Sequence, residues 1–304
     1  MVDSRRRIAL SFDVEEWFQT HAAQTAYPRE EWDSLESRVS GNIRRIFSIL
    51  DDAGARATFF FLGWIVDRYP VLAREAHERG HEVASHGYSH TPLTSMDSDS
   101  FARELELTEK AFEGASVPAP TGFRAPSFTL VDETLWALDV LLSAGYGYDS
   151  SVYPMFRHRY GMPGAPVVPF TFGGGDGRLL ELPMAVALSG RRRIPVAGGA
   201  YLRFMPFLLY SRFIERVTGE DRVPVLYLHP WELDRGGVLW RSKLRQRVRQ
   251  GFGSGPGAER KLRTLLGRYR SVTLADLASE VTGPPEWDPR TCPDPPSRRL
   301  RSLL

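Results

Sequence analysis

Ile8-Ala9-Leu10-Ser11-Phe12-Asp13-Val14-Glu15 is an apolar run that ends in two carboxylates. A short apolar run bounded by polar residues reads as a strand buried on both faces. Working outward, the same arrangement recurs. Ala57-Thr58-Phe59-Phe60-Phe61-Leu62 is a second such run, and His81-Glu82-Val83-Ala84 alternates into Ser85-His86-Gly87-Tyr88-Ser89-His90. Tyr148-Asp149 closes another strand, and residues 223–228 lead into His229. Helical patterns lie between them. Ile43, Ile46, Phe47 and Leu50 share one helical face, so residues 40–53 are predicted to form an amphipathic helix stopped near Gly54. Residues 70–79 carry Pro at the start and Gly80 after the end. Further helices are expected through Phe101, Leu105, Thr108 and Phe112, over residues 132–144 with Gly145 as the stop, and over residues 207–217. Alternating strands and helices argue for an α/β fold with a parallel sheet.

The remaining segments are read more coarsely. Residues 16–32 form a loop rich in aromatic residues, and residues 153–177 are a long Pro- and Gly-rich loop. Residues 179–188 read as one strand and residues 251–257 as a flexible link. Residues 260–266 and 274–281 read as a short helical tail, and residues 283–304 as a Pro- and Arg-rich end that frays.

The chemically capable residues fall just after strands: Asp13, His86, Asp149 and His229. In a parallel β/α barrel the C-terminal ends of the strands share one face, where active sites sit. Asp13 and Glu15, two apart in extended chain, point the same way. One can bind a metal while the other takes a proton from water that the metal has acidified. The pair also reads as a helix cap or a surface loop, since acidic residues after strands are common. His86 and His90, four apart, can aim two imidazoles at one cation, or simply hydrogen-bond to backbone. Arg124-Ala125-Pro126 can hold a catalytic carboxylate by a bidentate contact, or form an ordinary salt bridge. His229, after the apolar Leu226-Tyr227-Leu228, can protonate a leaving amine with Asp149 as its partner, or be a satisfied core histidine.

With 304 residues, 42% hydrophobic and 25% charged, the chain can bury a sizeable core and is neither disordered nor membrane-spanning in composition. A net charge of +2 gives no whole-molecule attraction to nucleic acid, which is not expected as a partner. Cys292 is the only cysteine, which excludes an intramolecular disulfide and a cysteine metal cluster. Met1-Val2-Asp3-Ser4-Arg5-Arg6-Arg7 runs directly into the first strand, with no apolar region of a secretory signal. The expected location is therefore cytoplasmic, or the inner face of the membrane, since a short basic run can make a peripheral membrane contact.

Asp13-x-Glu15, His86-x-x-x-His90, Arg124-x-Pro126, Asp149 and Leu228-His229 together resemble, in order and spacing, the motifs of polysaccharide deacetylases with the NodB homology domain (carbohydrate esterase family 4). The resemblance covers roughly residues 8–235. Phe12-Asp13-Val14-Glu15-Glu16, Asp149-Ser150-Ser151-Val152-Tyr153-Pro154 and His229-Pro230-Trp231-Glu232 are similar to a narrower branch, found at exosortase (PEP-CTERM) loci and carrying a C-terminal region of the DUF3473 type.

The resemblance implies a distorted (β/α) barrel over 8–235, a helical extension over 236–282 packed on it, and a disordered tail over 283–304. It implies a metal-dependent hydrolase that removes N-acetyl groups from N-acetylhexosamine units of an exopolysaccharide or its lipid-linked precursor. Asp13 would be the base, and Glu15, His86 and His90 the ligands of a divalent metal, by expectation Zn²⁺. Arg124 would tether the base, Asp149 and His229 would form the acid pair, and the backbone N–H near Ser127 would help hold the oxyanion. Tyr227 would line the acetyl pocket; Trp17, Trp32 and Trp231 can stack on sugar faces or simply pack.

Two departures stand out. The second carboxylate is displaced by one position and is a glutamate, whose longer arm bears on metal choice. Tyr227 stands where the family has a leucine lining the acetyl pocket. Residues 190–201, with Arg191-Arg192-Arg193, have no role in the shared motifs; the arginines can bind phosphate or form a solvated basic loop. Two other readings are a hydrolase of another linear or cyclic amide, of allantoinase or imidase type, on the same scaffold, and a non-catalytic glycan-binding protein.

Overall fold

The computed structural model describes residues 6–156, 160–173, 178–190, 192–236 and 251–289. β1 (Arg7–Val14) is the hub of the sheet. It pairs in parallel with β10 (Val225–Leu228) from Ala9 to Phe12, and with β2 (Thr58–Phe61) from Ser11 to Val14. Its first residues pair with β11 (Arg270–Val272). The order continues through β3 (Glu82–Ser85), β4 (Gly122–Phe123), β5 (Tyr148–Asp149) and β7 (Leu180–Glu181) to β6 (Phe170–Phe172) and β12 (Glu286–Trp287). Every pairing in this sheet is parallel except β6 with β7. Isolated backbone bonds, Ala185 N–H to Val225 O at 3.1 Å and Tyr227 N–H to Ala197 O at 2.9 Å, tie the segment after β7 back to β10. β8 (Val186–Ser189) and β9 (Arg192–Pro195) form a separate antiparallel pair.

The apolar stripe of α2 (Val39–Asp52), with Ile43, Ile46, Phe47 and Leu50 buried, packs into one core with Phe12 and Phe59. The Phe12 and Phe59 rings stack at 5.1 Å. No side chain at the start of α2 caps its free N–H groups. The Glu16 carboxylate does so, accepting from the N–H groups of Arg38 and Val39 at 3.2 and 3.3 Å. The turn that carries Glu15 is thus anchored to α2. Further helices follow the strands: α3 (Gly63–Arg68), α4 (Pro70–Glu78), α5 (Ser98–Gly114) and α6 (Ala137–Ser143). The alternation read from the sequence is therefore observed as an α/β fold with a largely parallel sheet.

The coarser expectations change. The long loop over 153–177 contains β6, and the single strand expected over 179–188 is broken at Pro183 into β7 and β8. Residues 251–255 are not a loose link. Gly255 N–H bonds to Glu232 O at 2.9 Å, and the turn leads into α9 (Pro256–Leu266). The fraying expected from residue 283 is not observed through residue 289, because Glu286 and Trp287 pair with Thr171 and Phe172 and the Trp287 ring packs at 5.3 Å on Phe170. Residues 290–304, Arg191 and 237–250 lie outside the described residues. β11 and α10 (Leu274–Glu280) carry the C-terminal region into the sheet: Leu274 N–H bonds to Thr58 Oγ1 and Ala275 N–H to Glu82, both at 2.8 Å. Among the described residues no helix is long and apolar enough to cross a membrane.

Candidate active site

Asp13 and Glu15 leave the C-terminal end of β1 with both carboxylates buried. Arg124, at the end of β4, reaches across from the opposite side. Its Nη1 donates to Asp13 Oδ1 at 2.6 Å and to Ser11 Oγ at 2.7 Å. Nε and Nη2 donate to Ser150 O and Oγ at 3.0 and 3.1 Å, and the guanidinium lies 4.1 Å from the Phe60 ring centre. The whole side chain is enclosed, with its donors shared between β1 and the end of β5.

His86 and His90 come from the loop after β3. This loop is held from two sides. The first N–H groups of α3, those of Gly63 and Trp64, bond to Gly87 O and Tyr88 O at 2.9 and 3.1 Å. From α5, Glu104 accepts the N–H groups of Tyr88 and Ser89 at 3.0 and 2.8 Å and the Ser89 hydroxyl at 2.6 Å. The tight course requires φ of +76° at Gly87 and +55° at His90. The latter is an uncommon conformation for a residue with a side chain and a local cost.

Glu15, His86 and His90 bring one donor atom each within 4.8 Å of one another, all three residues buried. His90 Nε2 lies 2.8 Å from Glu15 Oε2. His86 Nδ1 is 2.8 Å from Arg124 O, which places its proton there and leaves Nε2 as the free donor. Gln24, on the short helix α1 (His21–Gln24), sets its amide nitrogen 3.1 Å from His90 Nδ1. Two imidazoles and one carboxylate suit a borderline divalent cation, so the donor set fits a metal. Burial opposes ionisation of Glu15, but the imidazoles of His90, His229 and His86 outweigh it and bring the carboxyl down to about 2.

His229 follows β10. Its Nε2 lies 3.6 Å from Glu15 Oε1, and its ring stacks on Trp231 at 4.9 Å. Burial works against its charged form, yet Glu15 and Glu232 raise it to about 9. Trp231 donates its Nε1–H to Glu15 Oε1 at 3.1 Å, so its polar edge is committed to the metal-site carboxylate.

The structure does not join Asp149 to His229. Asp149 accepts from the Ser151 N–H and hydroxyl at 3.0 and 2.6 Å, and Ser151 Oγ in turn accepts Ala125 N–H at 2.7 Å. Its buried neighbour is Glu181, and burial raises both carboxyls. Asp149 therefore braces the loop after Arg124, since β5 lies beside β4 and Ser151 links the two. The carboxylates beside His229 are Glu15 and Glu232.

Ser127 and Phe128 both have positive φ, +57° and +56°. Their turn packs near the histidine loop: a Cβ on Gly87 would sit 3.8 Å from Pro126 Cγ. Tyr227 is buried with its ring 4.7 Å from Phe128, and its hydroxyl occupies space left by Gly198, where a Cβ would sit 2.8 Å away. Trp32, in the aromatic-rich loop, is buried, its Nε1–H donating to Tyr27 O at 3.1 Å. Arg193 Nη1 donates to Pro154 O and Ala165 O at 2.6 and 2.8 Å, which ties one end of its guanidinium to backbone. Gln24, Glu104 and Arg203 carry no sequence signal: they lie in helical or loop stretches with no pattern that separates them from surface polar residues. Glu232 stands in the stretch His229-Pro230-Trp231-Glu232, which assigns it no role.

Residues 3–148 match the family model described as polysaccharide deacetylase, and residues 150–279 match the one described as a domain of unknown function, DUF3473. The first half is thus similar to polysaccharide deacetylases. The boundary between the two matches falls at β5, inside one continuous sheet. Chitin deacetylase 2 of Cryptococcus neoformans var. neoformans serotype D is 31% identical over 81 residues, 27% of this chain and 18% of that protein. A peptidoglycan-N-acetylglucosamine deacetylase of Listeria monocytogenes serotype 1/2a is 32% identical over 123 residues, 40% of this chain and 22% of that protein. The chain therefore spans well under a third of the length of these curated relatives. A candidate polysaccharide deacetylase from Mycobacterium smegmatis, solved by crystallography, has the same fold over 96% of both chains, with a TM-score of 0.65 and 20% identity.

Proposed function

We propose that the chain is a metal-dependent amide hydrolase that removes N-acetyl groups from N-acetylhexosamine units, acting on an exopolysaccharide or its lipid-linked precursor at the cytoplasmic side of the membrane. The observation that carries this reading is the placing of a carboxylate and an imidazole beside one buried three-donor cluster: Asp13, pinned by Arg124 at 2.6 Å, and His229, 3.6 Å from Glu15. Hydrolysis of an amide needs a base for the attacking water and an acid for the departing nitrogen.

Glu15, His86 and His90 would hold the cation, by expectation Zn²⁺, which supplies Lewis acidity toward the acetyl carbonyl and the water. Asp13 takes the proton of the water, and the guanidinium of Arg124 keeps the carboxylate aimed. His229 delivers a proton to the nitrogen as the C–N bond breaks, giving acetate and a free amine. The backbone N–H near Ser127 receives the developing oxyanion. Tyr227 walls the acetyl pocket, and Trp231 flanks the sugar while bonding to Glu15. On this reading residues 8–235 form the distorted barrel, with 236–282 as an extension packed on it, and the chain belongs to the exosortase-associated branch. The names of relatives that act on chitin or peptidoglycan support an N-acetylated glycan as substrate.

The test is acetate release from N-acetylglucosamine oligomers with metal supplied. Activity lost with chelator and in Asp13→Asn supports the proposal. Absence of release from every N-acetylated glycan offered, with metal bound, refutes it.

A further inference from the structure

An imidazole that must hand over a proton from Nε2 needs a partner at Nδ1 to fix its rotation. Asp149, the expected partner, is occupied elsewhere. Glu232 follows His229 on the short turn Pro230–Leu233 and is itself buried. Its Oε2 accepts the His229 backbone N–H at 3.0 Å and lies 3.4 Å from His229 Nδ1. Its Oε1 accepts Arg203 Nε at 2.8 Å.

Arg203 stands on α7 (Gly199–Phe204), buried, with Nη1 donating to Phe252 O at 2.8 Å. The start of α7 is shaped around the same carboxylate: a Cβ on Gly199 would sit 2.0 Å from Glu232 Oε2. Gly199 and Arg203 thus meet on the Glu232 carboxylate, with Phe252 O holding Arg203 from behind, and all four residues lie in the range matched by the domain of unknown function. Burying an ion pair is a poor way to gain stability, since desolvation consumes most of the Coulombic attraction.

We propose that Glu232, clamped by Arg203, is the positioning carboxylate of His229, and that holding this imidazole is a function of the second half of the chain. The inference rests on the reading of His229 as the acid.

The test compares the full-length metal-loaded chain with Glu232→Gln, Arg203→Lys and His229→Gln. An N-acetylglucosamine tetramer is the substrate, and metal content is measured alongside. Glu232→Gln is expected to lower kcat on the order of 10- to 100-fold with KM and metal content unchanged, as for groups that orient a catalytic side chain. Arg203→Lys, which keeps the charge and loses the fork, should show a smaller fall of the same kind. Wild-type kcat in Glu232→Gln, or a loss only in step with lost metal, overturns the proposal. If His229→Gln keeps full activity, the acid assignment fails instead.

The contact is also read without turnover, from the His229 Nδ1 resonance in ¹⁵N-histidine-labelled protein. It should move in Glu232→Gln and stay in place for a control change at Arg193. An unmoved resonance overturns the contact even on an enzyme inactive toward this substrate. If Glu232→Gln does not fold, Glu232→Asp serves, since the shorter arm draws the carboxylate from Nδ1 without removing charge.

Discussion

Arg124 Nη1 lies 2.6 Å from Asp13 Oδ1, and neither side chain meets solvent. Removing one member of such a pair leaves the other charge buried and alone. Arg124→Met is expected to cost about 3–5 kcal/mol of stability. Acetate release should be abolished in the fraction that remains folded. Denaturant unfolding followed at two wavelengths, with an acetate assay on the same sample, checks both parts; unchanged stability would show that Asp13 finds solvent or another partner.

Glu15 touches His90, His229 and Trp231 at once. Glu15→Gln keeps its shape and removes the anionic donor. Metal titration by calorimetry should show stoichiometric binding by the wild type and none at the same concentrations by the variant. Equal affinity in the two would move the metal away from this cluster.

Glu104 lies outside the donor set yet holds the loop that carries two of its members through three hydrogen bonds. Glu104→Ala is expected to weaken metal affinity by roughly 10- to 100-fold, since groups behind the ligands set their orientation. Competition with a chelator of known affinity measures it. A variant that binds metal as tightly as wild type would mean that α3 alone suffices to shape the loop.

His81 is buried between Phe47 and Phe59, its ring centre 5.6 and 5.2 Å from theirs, and neither ring nitrogen has a hydrogen-bond partner. Burial lowers its pKa from 6.5 to about 4. The unfolded chain therefore takes up a proton that the native state refuses. The stabilising effect is complete above about pH 6.5 and is lost as pH falls from there toward about 4, by on the order of 1–3 kcal/mol. His81→Phe should flatten that part of the stability–pH curve. Parallel curves for the two proteins would mean that His81 is protonated in the fold.

Gly199 leaves room for the Glu232 carboxylate. Gly199→Ala forces backbone against a buried, bonded group and is expected to destabilise by about 1–3 kcal/mol. Thermal unfolding beside the exposed control Gly114→Ala, where a Cβ meets nothing within 4 Å, isolates the effect.

The apolar runs at Ile8 and Ala57, the helical stripe through Ile43 and Leu50, and the carboxylates and imidazoles at strand ends were legible because strand and helix periodicities are local. So were Asp13, Glu15, Arg124, His86 and His90 as members of one constellation, since a parallel sheet delivers its strand ends to one face. The partner of His229 was not legible. Asp149 and Glu232 are both acidic residues near strand ends, and only their contacts in the fold, Ser151 for the one and His229 for the other, separate them. Nor could the sequence show that residues 286–287 pair with β6, that Glu104 braces the histidine loop, or that Gly199 and Arg203 close on one carboxylate. Those contacts join residues far apart along the chain, and their energy exists only once burial has removed water from both partners. The residue types of this site were thus decided by sequence, and the pairing among them by tertiary packing.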